Sequence, residues 1–209
     1  MSELLELLDY RRRVAALYAE VREERHRDHA AAHAHWRAVR DQLFGAHPRS
    51  PLPAGARDGF FGLSYYGYDP SLAFSAPVDT GVEPERYEIA TSTGAAMAFV
   101  RFGRVRLPVG DLDVFWLDAY GGGLFLPFRD GTAGDGTYGG GRYLLDTAKG
   151  ADLGSTPSGE LICDFNFSYH PSCHYDAAYS CPLAPPGNHL AARVEAGERA
   201  WPGAGSPAG

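Results

Sequence analysis

Nowhere in this sequence of 209 residues is there a run of about 18 apolar side chains, the length that a membrane-crossing helix needs, so no membrane partner is expected. Met1 to Asp9 carries no basic stretch ahead of an apolar one. Glu3 and Glu6 stand among the leucines instead, which argues against a secretory leader and predicts a cytoplasmic location. Basic charge is short, with 19 Lys and Arg against 26 Asp and Glu and a net charge of −7. The one basic concentration (Arg11, Arg12, Arg13, Arg22, Arg25 and Arg27) is interleaved with Glu20, Glu23, Glu24 and Asp28, the pattern of a solvated helix face. Phosphate binding needs an uninterrupted basic stripe, so nucleic acid is excluded as a partner. Cysteine is scarce too. Cys163, Cys173 and Cys181 belong, on this reading, to a reducing compartment, so no structural bridge is assumed among them. There is no internal repeat and no alternation of strand and helix, which removes a doubly wound fold.

What is present favours strands and turns. Aromatic residues make up 12% of the chain and glycine occurs 26 times; aromatic rings suit a pleated surface and glycine suits tight turns. A helical segment comes first. No Gly or Pro interrupts the chain before Gly45, and Leu4, Leu7, Leu8, Val14, Leu17, Tyr18, Val21, Trp36, Val39 and Leu43 recur at helical spacing. The spacing predicts helix over 2–44, as one bent helix or two, stopping at Gly45. After the breaker at 48–53, Phe60 to Tyr66 reads as a short buried strand. Period two marks Tyr87, Ile89 and Thr91, then Ala98, Val100 and Phe102. Gly103 then predicts a hairpin into Val105 and Leu107. Strands are expected at 114–120, 124–128, 137–145 and 161–168, with a closing strand or short helix at 193–200. The predicted fold is mainly β, α+β overall: an antiparallel β-barrel or sandwich with a long N-terminal helical segment. The predicted division is a helical segment at 1–46, a β-rich domain at 47–201 and a disordered tail at 202–209.

Candidate sites concentrate after residue 137. If 161–168 is one strand, Leu161, Cys163, Phe165 and Phe167 share an apolar face, while Asp164, Asn166 and Ser168 share a polar one. That polar face either meets water or lines a cavity. Arg142 follows three glycines. It is either a surface charge after a bend or a planar fork that pairs with Asp164 or grips an anion. His170, Cys173, His174 and Cys181 put four ligand types within twelve positions. Their spacing is not that of the two tight pairs of a structural zinc site, so buried thiols, a zinc site and a Cys–His nucleophile pair all stay open. On the N-terminal helix, His29 and His33 share a face; an exposed helix surface is expected there.

Several strings carry a resemblance: Phe128 to Thr132, Thr137 to Leu144, Asp164 to Asn166, Tyr169, Pro171, Cys173, Tyr175, Cys181 to Leu183, Pro185, Pro186, Asn188, Leu190 and Glu195 to Glu198. Trp36, Arg37, Asp41, Phe44, Ser50 to Leu52, Phe60, Gly62, Leu63, Tyr65 and Tyr66 extend it upstream. Together they resemble the family called domain of unknown function 1684, found in bacteria and archaea. The resemblance implies no activity, substrate or cofactor. It does imply that Arg142, Asp164, Asn166, Tyr169, Cys173, Cys181 and Asn188 belong to one motif, whereas His170 and His174 depart from it. The leading expectation is therefore a small-molecule-binding protein or enzyme. Arg142 would anchor an anionic group, Asp164 would orient it or act as base, and Tyr138, Asn166, Tyr169 and Asn188 would complete the pocket, with no tightly bound organic cofactor. The alternatives are a thiol or zinc enzyme using Cys173, Cys181, His170 and His174, and an interaction protein that dimerises through the stripe Leu4, Leu8, Val14, Leu17 and Val21.

Overall fold

A computed structural model describes residues 2–202; most of the expected tail, 203–209, lies outside the described residues. The N-terminal segment forms two helices, α1 (Glu3–Arg25) and α2 (His29–Ala46). The break falls at Asp28, whose carboxylate accepts the backbone N–H groups of Ala30 and Ala31 and so caps α2. The α2 helix runs one residue past Gly45. Hydrogen bonds between His47 and Asp9 and between His35 and Glu20 tie the end of each helix to the early part of the other, making an antiparallel hairpin. A single turn, α3 (Ala54–Arg57), follows.

The rest is α+β with two antiparallel sheets and, among the described residues, no closed barrel. One sheet pairs β1 (Ala73–Ala76) with β7 (Leu161–Asp164). The other is a five-stranded meander in chain order: β2 (Glu85–Ala90), β3 (Ala96–Leu107), β4 (Gly110–Leu117), β5 (Leu124–Phe128) and β6 (Arg142–Asp146). Gly103 is not a hairpin turn but a bulge inside β3, between the pairs Arg101↔Phe115 and Gly103↔Val114. A bulge adds one residue and flips the side-chain alternation beyond it. Phe99 therefore packs with Ile89, Phe115, Phe125 and Tyr143 on one side, while Val105 and Leu107 join the main core on the other. Only glycine fits at the bulge, because a Cβ there would lie 2.4 Å from Val78 Cγ1.

The main core joins helices to sheets. Leu17, Tyr18, Val21 and Trp36 pack with Leu112, Val114, Leu126, Phe128, Leu144, Phe165 and Phe167. The α1 stripe is thus divided: Leu17 and Val21 are consumed internally, while Leu4 and Leu8 remain exposed, as does the neighbouring Leu5. Three expectations fail here. Phe60 to Tyr66 is no strand: it contributes a single bridge from Tyr65 to Glu198, and Phe61 is fully exposed. Residues 193–200 form neither helix nor strand. The 161–168 strand ends at Asp164, where the Asp164 carboxylate accepts the Asn166 N–H and turns the chain into a 3-10 turn. The proline-rich segment pairs Thr91 with Pro182 and donates Leu183 N–H to the Ala90 carbonyl, which covers the end of the edge strand β2. Among the described residues no helix is long and apolar enough to cross a membrane.

Candidate functional site

The early end of β7 removes the alternation on which the polar face rested. Asp164, Asn166 and Ser168 are all fully buried, and so is Arg142. No hydrogen bond joins Arg142 to Asp164. Asp164 pairs instead with Arg25 at 3.2 Å. Burial raises its pKa against the lowering influence of Asn166 and Arg25. Arg142 pairs with Asp130 at 3.2 Å and its two terminal nitrogens also donate to the carbonyls of Val194 (2.8 Å), Ala196 and Glu198, while its buried Nε has no hydrogen-bond partner. Its guanidinium also lies over the Phe128 ring. The two expected asparagines act as backbone partners. Asn166 exchanges two 2.8 Å bonds with the backbone of Asp69. Asn188 accepts from Asp113 N–H and donates to the carbonyls of Asp113 and Pro127. Arg142 Nε excepted, the polar groups of Arg142, Asp164, Asn166 and Asn188 bond within the protein rather than turning together toward one pocket.

A cavity of about 300 Å³ lies elsewhere, between the helix hairpin and β6. Tyr10, Val14 and Tyr18 of α1 face Tyr143 of β6 and Tyr169 across it, with Asp146 and Arg40 also in its wall. Tyr169 is the one member of the expected pocket found here. Arg40 is stacked over Trp36, Phe44 and Tyr169 and donates to Glu198 Oε2 at 2.8 Å, while its Nε has no hydrogen-bond partner. The buried Tyr18 hydroxyl is unpartnered as well. Burial pushes the phenols of Tyr10 and Tyr18 up to about 12, so both stay neutral donors. Burial also raises the carboxyl of Asp146, opposed by Lys149 at 3.8 Å. Arg11, Arg49 and Lys149 also line it, giving with Arg40 four cations against one carboxylate. A larger groove of about 670 Å³ between α1 and the end of α2 has no buried, unpartnered polar atom in its lining.

The segment after Tyr169 supplies Pro171, Ser172 and Tyr179 to the cavity wall and also carries Cys173 and Cys181. Cys173 Sγ sits 3.9 Å from the Tyr138 hydroxyl, to which it donates. Cys181, then Ser92 and Tyr138, lower the Cys173 thiol to about 6 against burial, and Cys173 raises the Cys181 thiol in turn. The histidines stack on each other at 4.3 Å but do not serve the thiols: His170 Nε2 accepts Tyr138 N–H, and His174 Nε2 accepts Trp201 N–H. Burial lowers both, His174 to about 4, so they are neutral near pH 7. Among the described residues no group of three His, Cys, Asp or Glu is placed to hold a metal ion. On α2, His33 is buried rather than exposed, packed against Trp36, Tyr68 and Phe167.

Two comparisons match this chain and one does not. Residues 58–199 match a family described as "Protein of unknown function (DUF1684)". An uncharacterised protein of Haloarcula marismortui, from gene locus rrnAC0354 and solved by solution NMR, is 37% identical with a TM-score of 0.54. The match covers 78% of this chain and 89% of that one. No curated protein matches.

Proposed function

The chain belongs to the DUF1684 family, proteins of unknown function, and from that premise we propose that it is a small-molecule-binding domain whose ligand enters the tyrosine-walled cavity. One observation carries the reading: apolar aromatic walls meet a basic lining in a protein whose net charge is −7. Ligand sites combine mostly apolar walls with a few polar groups that fix orientation, and about 300 Å³ lies at the small end of their range. The chemistry favours a flat, largely apolar molecule with one anionic group. Tyr10, Tyr143 and Tyr169 would stack on its body, while Arg11 and Arg49 would meet its charge.

Isothermal titration calorimetry with 2-naphthoate, and with uncharged naphthalene-2-methanol as control, tests this. The carboxylate should bind at one site and the alcohol at least about tenfold more weakly. Val14→Trp, which fills the cavity from α1, should abolish binding and leave the fold intact. Arg11→Glu, on an exposed side chain, should weaken the carboxylate without affecting the alcohol. Equal binding of both probes to wild type and Val14→Trp, or of neither to wild type, would overturn the reading.

A further inference from the structure

We propose that the turn of the helix hairpin and the two-stranded sheet form a second ligand site, one that takes a small phosphate monoester. A cavity of about 400 Å³ lies between them and shares no lining residue with the tyrosine-walled one. The helices contribute Arg22, Arg25, His26 and His29 to its lining. β1 contributes Phe74 and Ser75, Ile162 comes from β7, and the loop before β7 adds Ser155 and Thr156. Among the described residues no carboxylate lines it, in a chain of net charge −7.

Arg25 is the anchor. The interleaved charges of α1 predict a solvated side chain, yet Arg25 is only 9% exposed. Arg22 and Arg25 are three positions apart and share a face of the last turn of α1, and that face turns toward the sheet. Arg25 is oriented before any ligand arrives: its Nη2 donates to Asp164 at 3.2 Å, and its guanidinium lies over the Phe167 ring. Asp164 is fully buried and accepts from both nitrogens of Asn166, so it stays out of the cavity lining. The Nε of Arg25 has no hydrogen-bond partner, and the bond to Asp164 is its only side-chain hydrogen bond among the described residues. A buried guanidinium with unspent donors beside a cavity is a group that an anion satisfies.

Arg22 brings a second fork. Its Nη1 donates to the Asp152 carbonyl at 2.6 Å, which pins it beside the loop. Gly154 permits that approach: its φ is +78°, and a Cβ there would come within 3.0 Å of Arg22 Cδ. The loop is itself fixed, by Gly154 N–H to Asp152 Oδ1 and Thr156 N–H to the Glu160 carbonyl. Of its hydroxyls, Thr156 pairs with Ser158, while that of Ser155 has no partner among the described residues; Ser75 donates to Glu160. Two guanidinium groups from the helix and a hydroxyl from the loop thus approach from different elements. A tetrahedral phosphate presents oxygens in several directions, whereas a carboxylate presents two in one plane. The α2 N-terminus is not the source of attraction, because Asp28 already accepts from Ala30 and Ala31. One phosphate needs only converging donors, not the basic stripe that nucleic acid requires. Phe74 and Ile162 leave an apolar surface for the organic group of the ester.

The test is an NMR titration of the ¹⁵N-labelled full chain with methyl phosphate in phosphate-free buffer. The Nε–H signals of Arg22 and Arg25 and the amides of Ser155 and Thr156 should shift together and saturate, and acetate should bind at least about tenfold more weakly. Ser155→Glu, on an exposed residue, puts a carboxylate at the cavity and should abolish binding with the rest of the spectrum unchanged. Arg22→Gln should weaken binding at least about tenfold. Val14→Trp should bind methyl phosphate as wild type does, and Ser155→Glu should still bind 2-naphthoate, so the two sites stand or fall separately. Equal binding by wild type and Ser155→Glu, shifts that do not saturate or that fall elsewhere, or acetate bound as tightly as the phosphate, would overturn the proposal.

Discussion

Between Glu85 and Asp146 the backbone is paired mostly strand by strand; between Phe165 and Glu198 it is paired through short turns and isolated bridges, and side chains take up carbonyl and N–H groups that no ladder reaches. In the first region a buried N–H finds its partner through a repeating ladder, and the side chains have only to be apolar on alternate positions. In the second, several buried backbone groups depend on one side chain: Arg142 for three carbonyls, Asp130 for Val194 N–H, Glu198 for His170 N–H. Glu198 is itself fully buried among Arg40, Tyr175 and His170. The lesson is that polar residues grouped in a motif need not be a ligand site. Here several of them are substitutes for secondary structure.

The largest expected effect breaks the second region at its centre. Arg142→Leu strands Asp130 and three carbonyls in the interior and should cost about 3–5 kcal/mol in urea unfolding. An unchanged unfolding midpoint would mean that the guanidinium is not the support described, and would return Arg142 to the list of ligand groups. Next comes a matched pair of glycines. Gly94 (φ +82°) closes the β2–β3 hairpin with open space around it, whereas a Cβ on Gly197 (φ +73°) would lie 2.6 Å from the Ser168 carbonyl and 2.7 Å from that of Phe165. Gly94→Ala should cost about 1–2 kcal/mol, from its backbone conformation alone. Gly197→Ala should cost at least about 2 kcal/mol more, since it adds backbone overlap to the same strain. Similar melting temperatures for the two would erase the contrast. The smallest effect sharpens it from the regular side. Asp146 ends β6 buried, with its pKa raised by that burial. The folded state therefore holds the proton more tightly than the unfolded one, and the stability this gives at low pH is lost as pH rises through the folded pKa. Asp146→Asn should be more stable than wild type at pH 7 by about 1 kcal/mol or less, with the difference vanishing below pH 3.8. A variant less stable at pH 7 would show that Lys149 outweighs the burial.

The regular region was legible because its signals are periodic. Leu17, Val21 and Trp36 mark a helix by spacing; Tyr87, Ile89, Phe125 and the glycines at 121–123 mark strands and a turn. Gly103 shows the limit: a glycine within a strand pattern signals a turn or a bulge, and what decides is Val78, packed against it from 25 positions away. The second region has no period to read. Asp164 and Asn166 look like neighbours on one strand face, yet an Asp164 side chain accepting Asn166 N–H ends the strand between them. Cys173 and Cys181 were visible as residue types, as was Tyr169. Tyr10, Arg40 and Asp146 were not, because the cavity is assembled from α1, α2 and β6 and no local pattern joins them.

The three carbonyls that Arg142 holds lie 52, 54 and 56 positions after it in the chain. A chain growing from its N-terminus has made both long helices and the seven described strands before residue 194 exists. Until then the guanidinium destined for the interior lacks most of its partners. Burial therefore waits on synthesis, and the fold closes late, on a segment without a strand or long helix of its own. Ribosome-bound chains arrested between residues 165 and 190 should stay sensitive to protease throughout, and protection should arrive in one step as residues 194–198 emerge.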